Sequence, residues 1–159
     1  MHRIMFVCHG NICRSPMAEF VMRDLARKRG MGHALLTASA ATHDDEIGSP
    51  VHPGTRRVLA EVGIFCDGKT ARRLRRADAG EWDLFVGMDE ANLRDMRRQL
   101  GREAAERCVK LLEFAGSDRD VADPWYTGDF ETTYDDVVAG CTGILAWLEA
   151  DARVRASCS

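Results

Sequence analysis

Cys8-His9-Gly10-Asn11-Ile12-Cys13-Arg14-Ser15 is the stretch around which this chain is organised. The run before it, Ile4-Met5-Phe6-Val7, is short, unbroken and apolar, as a strand buried on both faces would be. The pair Ser15-Pro16 reads as a helix start, with Ser as N-cap and Pro at the first helical position, where its missing N–H costs nothing. Strand, tight loop, helix is the local plan. Such a loop turns backbone N–H groups inward at a helix N-terminus and makes an anion site from main chain alone. Gly10 is expected to supply permissive backbone angles, and Asn11 tolerates the left-handed region better than most residues. Arg14 adds a planar fork suited to bidentate binding of phosphate. Cys8 stands at the mouth of the loop, where the same donors would stabilise a thiolate. A buried structural Cys beside a surface Arg would leave the crowding of Gly, Asn, Arg and Ser into one turn unexplained.

Working outward, the 159 residues predict a single domain, 1–159, with the last few residues disordered. A chain of this size buries roughly 68–70% of its unfolded surface and needs no metal or disulfide staple. Hydrophobic residues at 45% and charged ones at 30% suit a soluble globular protein. A net charge of −3 gives no nucleic-acid footprint. Ile4–Val7 runs straight into Cys8-His9, so no signal peptide is read, and no apolar run reaches membrane-spanning length. The six cysteines contain no Cys-x-x-Cys pair, and none of the five His residues is spaced with them as a metal site would require. A nucleophilic thiolate needs a reducing compartment, which points to the cytoplasm.

Apolar spacing after Pro16 (Met17, Phe20, Val21, Leu25) predicts a helix that ends in Arg27-Lys28-Arg29, with Gly30 beyond. Leu35–Ala38 reads as a second strand leading into Ser39, and Val58, Leu59 and Val62 as a short helix closed by Gly63. Arg72, Arg73, Arg75 and Arg76 form a cluster that is either a solvated face or a means of steering an anion. Leu84–Val86 reads as a third strand, after which Asp89 is placed to cap a helix carrying Leu93, Met96 and Leu100. Val109–Leu112 reads as the fourth strand, and Val137, Val138, Cys141, Ile144, Leu145 and Leu148 share one face of a last helix. Strands alternating with helices predict an α/β three-layer sandwich: a central four-stranded parallel sheet, helices on both faces and right-handed crossovers. Ligands in such sheets bind beyond the carboxyl ends of strands, where Cys8, Ser39 and Asp89 would meet.

The run from Val7 to Glu19 resembles the signature of the low-molecular-weight protein-tyrosine phosphatases. The likeness continues through Ser39–Thr42, Glu46-Ile47-Gly48, Met88–Leu93, Asp123-Pro124-Trp125-Tyr126 and Asp129-Phe130-Glu131, in family order over nearly the whole chain. The resemblance implies a phosphatase acting through a phosphocysteine on phosphotyrosine proteins or small aryl phosphates, releasing inorganic phosphate. It implies no cofactor, no metal, no nucleic-acid or membrane partner, and a monomer. Cys8 would be the nucleophile and Arg14 the phosphate clamp, with His9, Gly10, Asn11, Ile12, Cys13 and Ser15 completing the phosphate loop. Asp123, which on its own reads as a turn initiator, would be the general acid. Ser15, Asn11 and Ser39 would support the loop, Asp45, Trp125 and Tyr126 would wall the pocket, and Cys13 would form a protective disulfide with Cys8. Two positions depart from the family pattern. Asp45 stands where many members carry an aromatic, and Lys69 where many carry His.

Two other readings compete. Arsenate reductase of the same fold shares the phosphate loop but needs further cysteines to relay a disulfide; Cys66 and Cys108 are available, neither in a paired arrangement. A non-catalytic phosphopeptide-binding module would keep Arg14 but lose Cys8 or Asp123, and both are present.

Overall fold

In the computed structural model of the chain, four parallel strands form one sheet: β1 (His2–Cys8), β2 (Leu35–Ala41), β3 (Leu84–Gly87) and β4 (Cys108–Lys110), in the order β2-β1-β3-β4. The structure describes residues 1–158, without the side chains of residues 154, 155, 157 and 158, so the expected disorder of the last few residues lies outside the described residues. Five α-helices accompany the sheet: α1 (Arg14–Lys28), α2 (Pro53–Glu61), α3 (Glu90–Leu100), α4 (Pro124–Thr127) and α5 (Phe130–Cys158). None of the described helices is long and apolar enough to cross a membrane.

β1 divides the core by simple alternation. Ile4, Phe6 and Cys8 pack into a cluster with Met17, Val21 and Met22 of α1 and Val137, Ile144 and Leu148 of α5. Met5 and Val7 point the other way, toward Leu93, Met96 and Leu100 of α3. Both faces are covered, which is why this strand reads as an unbroken apolar run. The central position of β1 puts its carboxyl end between two neighbours, with Cys8 beside Ala41 of β2 and Val7 beside Gly87 of β3.

Several expected boundaries move by more than a residue. β2 runs through Ser39 to Ala41 and so places Ser39 inside the strand. α1 begins at Arg14 with Cys13 at the N-cap position, so Ser15 lies inside the first turn and its hydroxyl is not a cap. β4 ends at Lys110, because Leu111–Ala115 winds into a 3₁₀ turn in which Glu113 accepts the Lys110 N–H at 2.7 Å. α5 lies directly on that turn. Side chains at Gly140 and Gly143 would come within 2.3 Å of Leu111 and 2.1 Å of the Phe114 carbonyl.

Candidate active site

The loop from Cys8 to Arg14 is shaped by where its carbonyls go. Thr42 N–H donates to Cys8 O at 3.0 Å, His43 N–H to His9 O at 3.1 Å, His52 N–H to Ile12 O at 2.8 Å and the Thr55 hydroxyl to Cys13 O at 3.1 Å. In a trans peptide the N–H lies opposite its carbonyl. Four carbonyls held outward therefore turn the N–H groups of His9, Gly10, Cys13 and Arg14 inward, to one point at the start of α1. The left-handed residue is Asn11, at φ 60°, which its tolerance of that region allows, whereas Gly10 keeps an ordinary negative-φ conformation, so the freedom expected of it is not used.

Asn11 is fixed by three bonds that also settle their own direction. The Arg72 N–H occupies Oδ1 at 3.1 Å, so the amide nitrogen donates to Ser15 Oγ at 2.7 Å and Ser39 Oγ at 2.9 Å. The Ser15 oxygen thus accepts from Asn11 and, at 3.0 Å, from the Cys8 thiol; once Cys8 is a thiolate, the Ser15 hydroxyl can turn its own proton to the sulfur. A neutral thiol gains little from that bond; a thiolate gains a charge-assisted one. Ser39 passes its proton to Glu19 Oε1 at 2.5 Å, and Glu19 is held by Arg23 at 2.9 Å and Lys69 at 3.4 Å. Lys69 also donates to Ser39 O at 3.0 Å, so this departure from the family pattern supports the loop from behind. Burial pulls its pKa below the ordinary lysine value despite Glu19.

Arg14 is 2% exposed and bridges the site. One guanidinium nitrogen donates to Asp89 Oδ2 at 2.8 Å and to Val121 O at 2.9 Å; the other lies 3.4 Å from Asp123 Oδ2. Burial alone would lower its pKa, but Cys8, Asp123 and Asp89 together hold it above the ordinary arginine value, so it stays a cation. Asp89 caps α3 as expected, accepting the Asn92 N–H at 2.8 Å through its other oxygen. Asp123 caps the short α4 through Trp125 N–H at 3.1 Å, with Pro124 at the first helical position.

These groups line a cavity of about 300 Å³ whose walls include Ile12, Asp45, Trp125 and Tyr126. Trp125 is 57% and Tyr126 84% exposed, so both present aromatic surface at the mouth. His9 points outward, stacks on His43 with ring centroids 3.9 Å apart, and bonds Asp45 Oδ2 at 2.8 Å. That bond holds the Asp45 carboxyl below the ordinary carboxylate range, so this wall carries a negative charge at neutral pH.

Elsewhere the extra cysteines are inert. Cys108 lies in the core on the α3 face, where burial pushes its thiol up to about 11, and burial also raises Cys66. The Arg cluster is largely committed to structure: Arg72 forks onto the buried Asp78 at 2.9 and 3.2 Å, and Arg73 pairs with Asp44 at 2.8 Å. Sequence reading placed Asp89 on the ligand-binding rim and as a cap but gave it no bond to Arg14, and it gave Glu19 no role beyond the end of the family signature, although an acid among the apolar positions of the first helix was a visible signal.

A thiol at the mouth of a loop with its amides turned inward, a buried Arg beside it and a carboxylate across the cavity are an arrangement suited to holding a phosphoryl group next to sulfur. The chain belongs to the low-molecular-weight phosphotyrosine protein phosphatase family, whose sequence profile matches residues 3–154. It is 38% identical over 156 residues to the low-molecular-weight protein-tyrosine-phosphatase YfkJ of Bacillus subtilis, covering 97% of this chain and 100% of that one. It is 35% identical over 153 residues to PtpA of Staphylococcus aureus, covering 96% and 97%. The crystal structure of YfkJ superposes with a TM-score of 0.91 over 95% of this chain and 96% of that one. The low-molecular-weight protein tyrosine phosphatase of Streptococcus pyogenes does so with 0.84 at 37% identity, over 93% of each chain. The fold and family expected from the sequence are borne out, and the arsenate-reductase reading is not favoured.

Proposed function

We propose that this member of the family hydrolyses phosphotyrosine and aryl phosphate monoesters through a phosphocysteine, without a metal. The observation that carries the reading is Arg14, whose one buried fork lies between the Cys8 loop and the Asp123 carboxylate. Cys8 Sγ attacks phosphorus while the inward N–H groups and Arg14 take the equatorial oxygens. Asp123, holding a proton, gives it to the departing phenolate oxygen. In the second step the same carboxylate takes a proton from water as that water attacks the phosphocysteine. Phosphate leaves, and Ser15 receives the returning thiolate with its hydrogen bond. A positioned acid contributes roughly 10²–10⁴-fold, most where the leaving group is poor.

Asp123→Asn tests this directly. With chelator present, wild type should hydrolyse p-nitrophenyl and phenyl phosphate alike. The variant should lose about 10³-fold on phenyl phosphate and about tenfold on the activated ester. Equal losses on both would remove Asp123 from the acid role, and thioredoxin-coupled arsenate reduction in place of hydrolysis would overturn the reading altogether.

Asp45 sets a charged wall where an aromatic could stack on the substrate ring. Asp45→Trp should raise kcat/KM for aryl phosphates by about 2–10-fold, the worth of one aromatic contact. It should help acidic phosphopeptides more than basic ones, by a margin that shrinks in salt. An unchanged peptide profile would place Asp45 outside substrate contact. We further infer a monomer that works in the cytoplasm, where the thiolate the reaction needs stays reduced.

A further inference from the structure

Lys110 is a buried charge that the reaction as derived does not use. It ends β4 in an otherwise apolar stretch, its side chain is 6% exposed, and it does not line the cavity. A buried ammonium persists only where its three donors are matched, and here they are. Nζ donates to Asp118 O at 2.5 Å, to Asp120 Oδ1 at 3.0 Å and to Glu90 Oε1 at 3.1 Å. Burial lowers its pKa, but Asp120 and Glu90 more than offset that and hold it above the ordinary lysine value.

Two of the three acceptors belong to the segment that leads to Asp123. Asp120 Oδ1 also accepts the N–H of Glu90 at 3.2 Å, at the positive end of α3. The next residue, Val121, is fixed on both sides: its N–H donates to Met88 O at 2.9 Å and its carbonyl accepts from Arg14 at 2.9 Å. Asp123 follows two residues later and opens α4. We propose that Lys110 is a positioning residue for the general acid, clamping residues 118–120 so that Asp123 meets the leaving oxygen; this rests on the acid role given to Asp123 above. Without the clamp the segment keeps its Arg14 and Met88 contacts, the Glu90 N–H on Asp120 and the Arg119–Asp136 pair, but loses the ammonium that ties the Asp118 carbonyl and the Asp120 carboxylate to β4. The acid is then misplaced, while the phosphate loop, built from β1 and α1, keeps its shape.

The test compares Lys110→Met, Lys110→Arg, Asp123→Asn and the double variant Lys110→Met/Asp123→Asn on phenyl and p-nitrophenyl phosphate, with inorganic phosphate as inhibitor. Lys110→Met should lower kcat about 10–30-fold for phenyl phosphate and about threefold or less for p-nitrophenyl phosphate. KM and phosphate inhibition should stay within about twofold, since binding is not at stake. Lys110→Arg should recover part of the loss, and in the Asp123→Asn background Lys110→Met should cost nothing further. Equal losses on the two esters, weakened phosphate inhibition, or a full additional loss in the double variant would overturn the proposal. Should Lys110→Met fail to fold, Asp120→Ala cuts the same clamp from its loop side by removing the accepting oxygen, and the absence of any ester dependence there would overturn it equally. If Asp123→Asn itself shows no ester dependence, the acid assignment falls; if it shows that dependence and Lys110→Met does not, only the positioning role falls.

Discussion

Serine in place of Cys8 leaves a folded protein that binds phosphate and turns over no ester. The exchange removes no volume that the site needs, and the bond to Ser15 can be kept by an oxygen. What is lost is the nucleophile: a hydroxyl has no neighbouring base here, and nucleophile deletions in enzymes of this kind cost on the order of 10⁴–10⁶ in kcat. Alkylation gives the complementary result. Iodoacetate should inactivate the wild type by modifying Cys8, with phosphate protecting. The other described thiols are held protonated by burial, Cys13 up to about 12 and Cys108 up to about 11, with Cys66 and Cys141 also raised. Equal labelling of Cys66 and Cys108 with activity retained would sink the assignment. The same difference bears on the proposed Cys8–Cys13 disulfide. After mild peroxide, Cys13 should close on the oxidised Cys8 slowly at neutral pH, because so little of it is thiolate, and dithiothreitol should restore activity. A map showing Cys8 bridged to Cys66 would return the arsenate-reductase chemistry to consideration.

What could be read from the chain follows the range of the interactions involved. The nucleophile loop was legible because its parts are local. An apolar strand, a left-handed Asn and an Arg at a helix start lie within ten residues, and their physical meaning does not depend on the rest of the fold. Asp89 was legible as a cap for the same reason, since its Asn92 partner is three residues away. Its second role, on Arg14 at 75 residues' separation, depends on β3 being the neighbour of β1, which the alternation of strands and helices does not specify. Ser15 was read both as a cap, from its spacing to Pro16, and as a support of the loop; it lies inside the first turn with its oxygen 3.0 Å from the Cys8 sulfur, so the cap reading alone fails. Glu19 and Lys110 share one signature. Both are charges between apolar neighbours, whereas Lys69 stands between Gly68 and Thr70 and shares only its burial; a buried charge is kept only where a partner meets it. Which partner meets it is a tertiary fact: Ser39 is 20 residues from Glu19, and the residues held by Lys110 come from a loop and a helix that the sequence alone cannot bring to it.

Arg14→Lys should be nearly as damaging as loss of the nucleophile, and in a different way. The charge survives but the fork does not. In the resting site the guanidinium meets Asp89, Val121 O and Asp123 at 2.8, 2.9 and 3.4 Å, from two nitrogens on a planar frame. An ammonium on a shorter stem can hold Asp89 or reach a phosphate oxygen, but it cannot span both while tethering the Val121 carbonyl. Charge-assisted hydrogen bonds contribute ~1.5–3 kcal/mol each, so losing two amounts to ~3–6 kcal/mol, or roughly 10²–10⁴-fold in kcat/KM. The loss should divide between both steady-state constants. Phosphate inhibition should weaken by about tenfold or more, because the ground-state dianion loses its bidentate partner. kcat should also fall, because the equatorial oxygens of the transition state lose theirs and the acid segment loses its tie at Val121. Asp123→Asn provides the contrast, with phosphate inhibition retained and a loss that grows as the leaving group worsens. For Arg14→Lys most of the loss should be common to every ester, since the equatorial oxygens are the same in each, with only about a further tenfold or less on poor leaving groups from the loosened acid segment. The urea midpoint separates this from unfolding: Asp89 keeps a cationic neighbour, so the variant should still unfold in one cooperative transition. A variant that folds and is inhibited by phosphate as well as wild type would show that the loop amides alone hold the dianion. Arg14 would then be a structural tether between the nucleophile loop and the acid, and the fork would have no part in binding substrate.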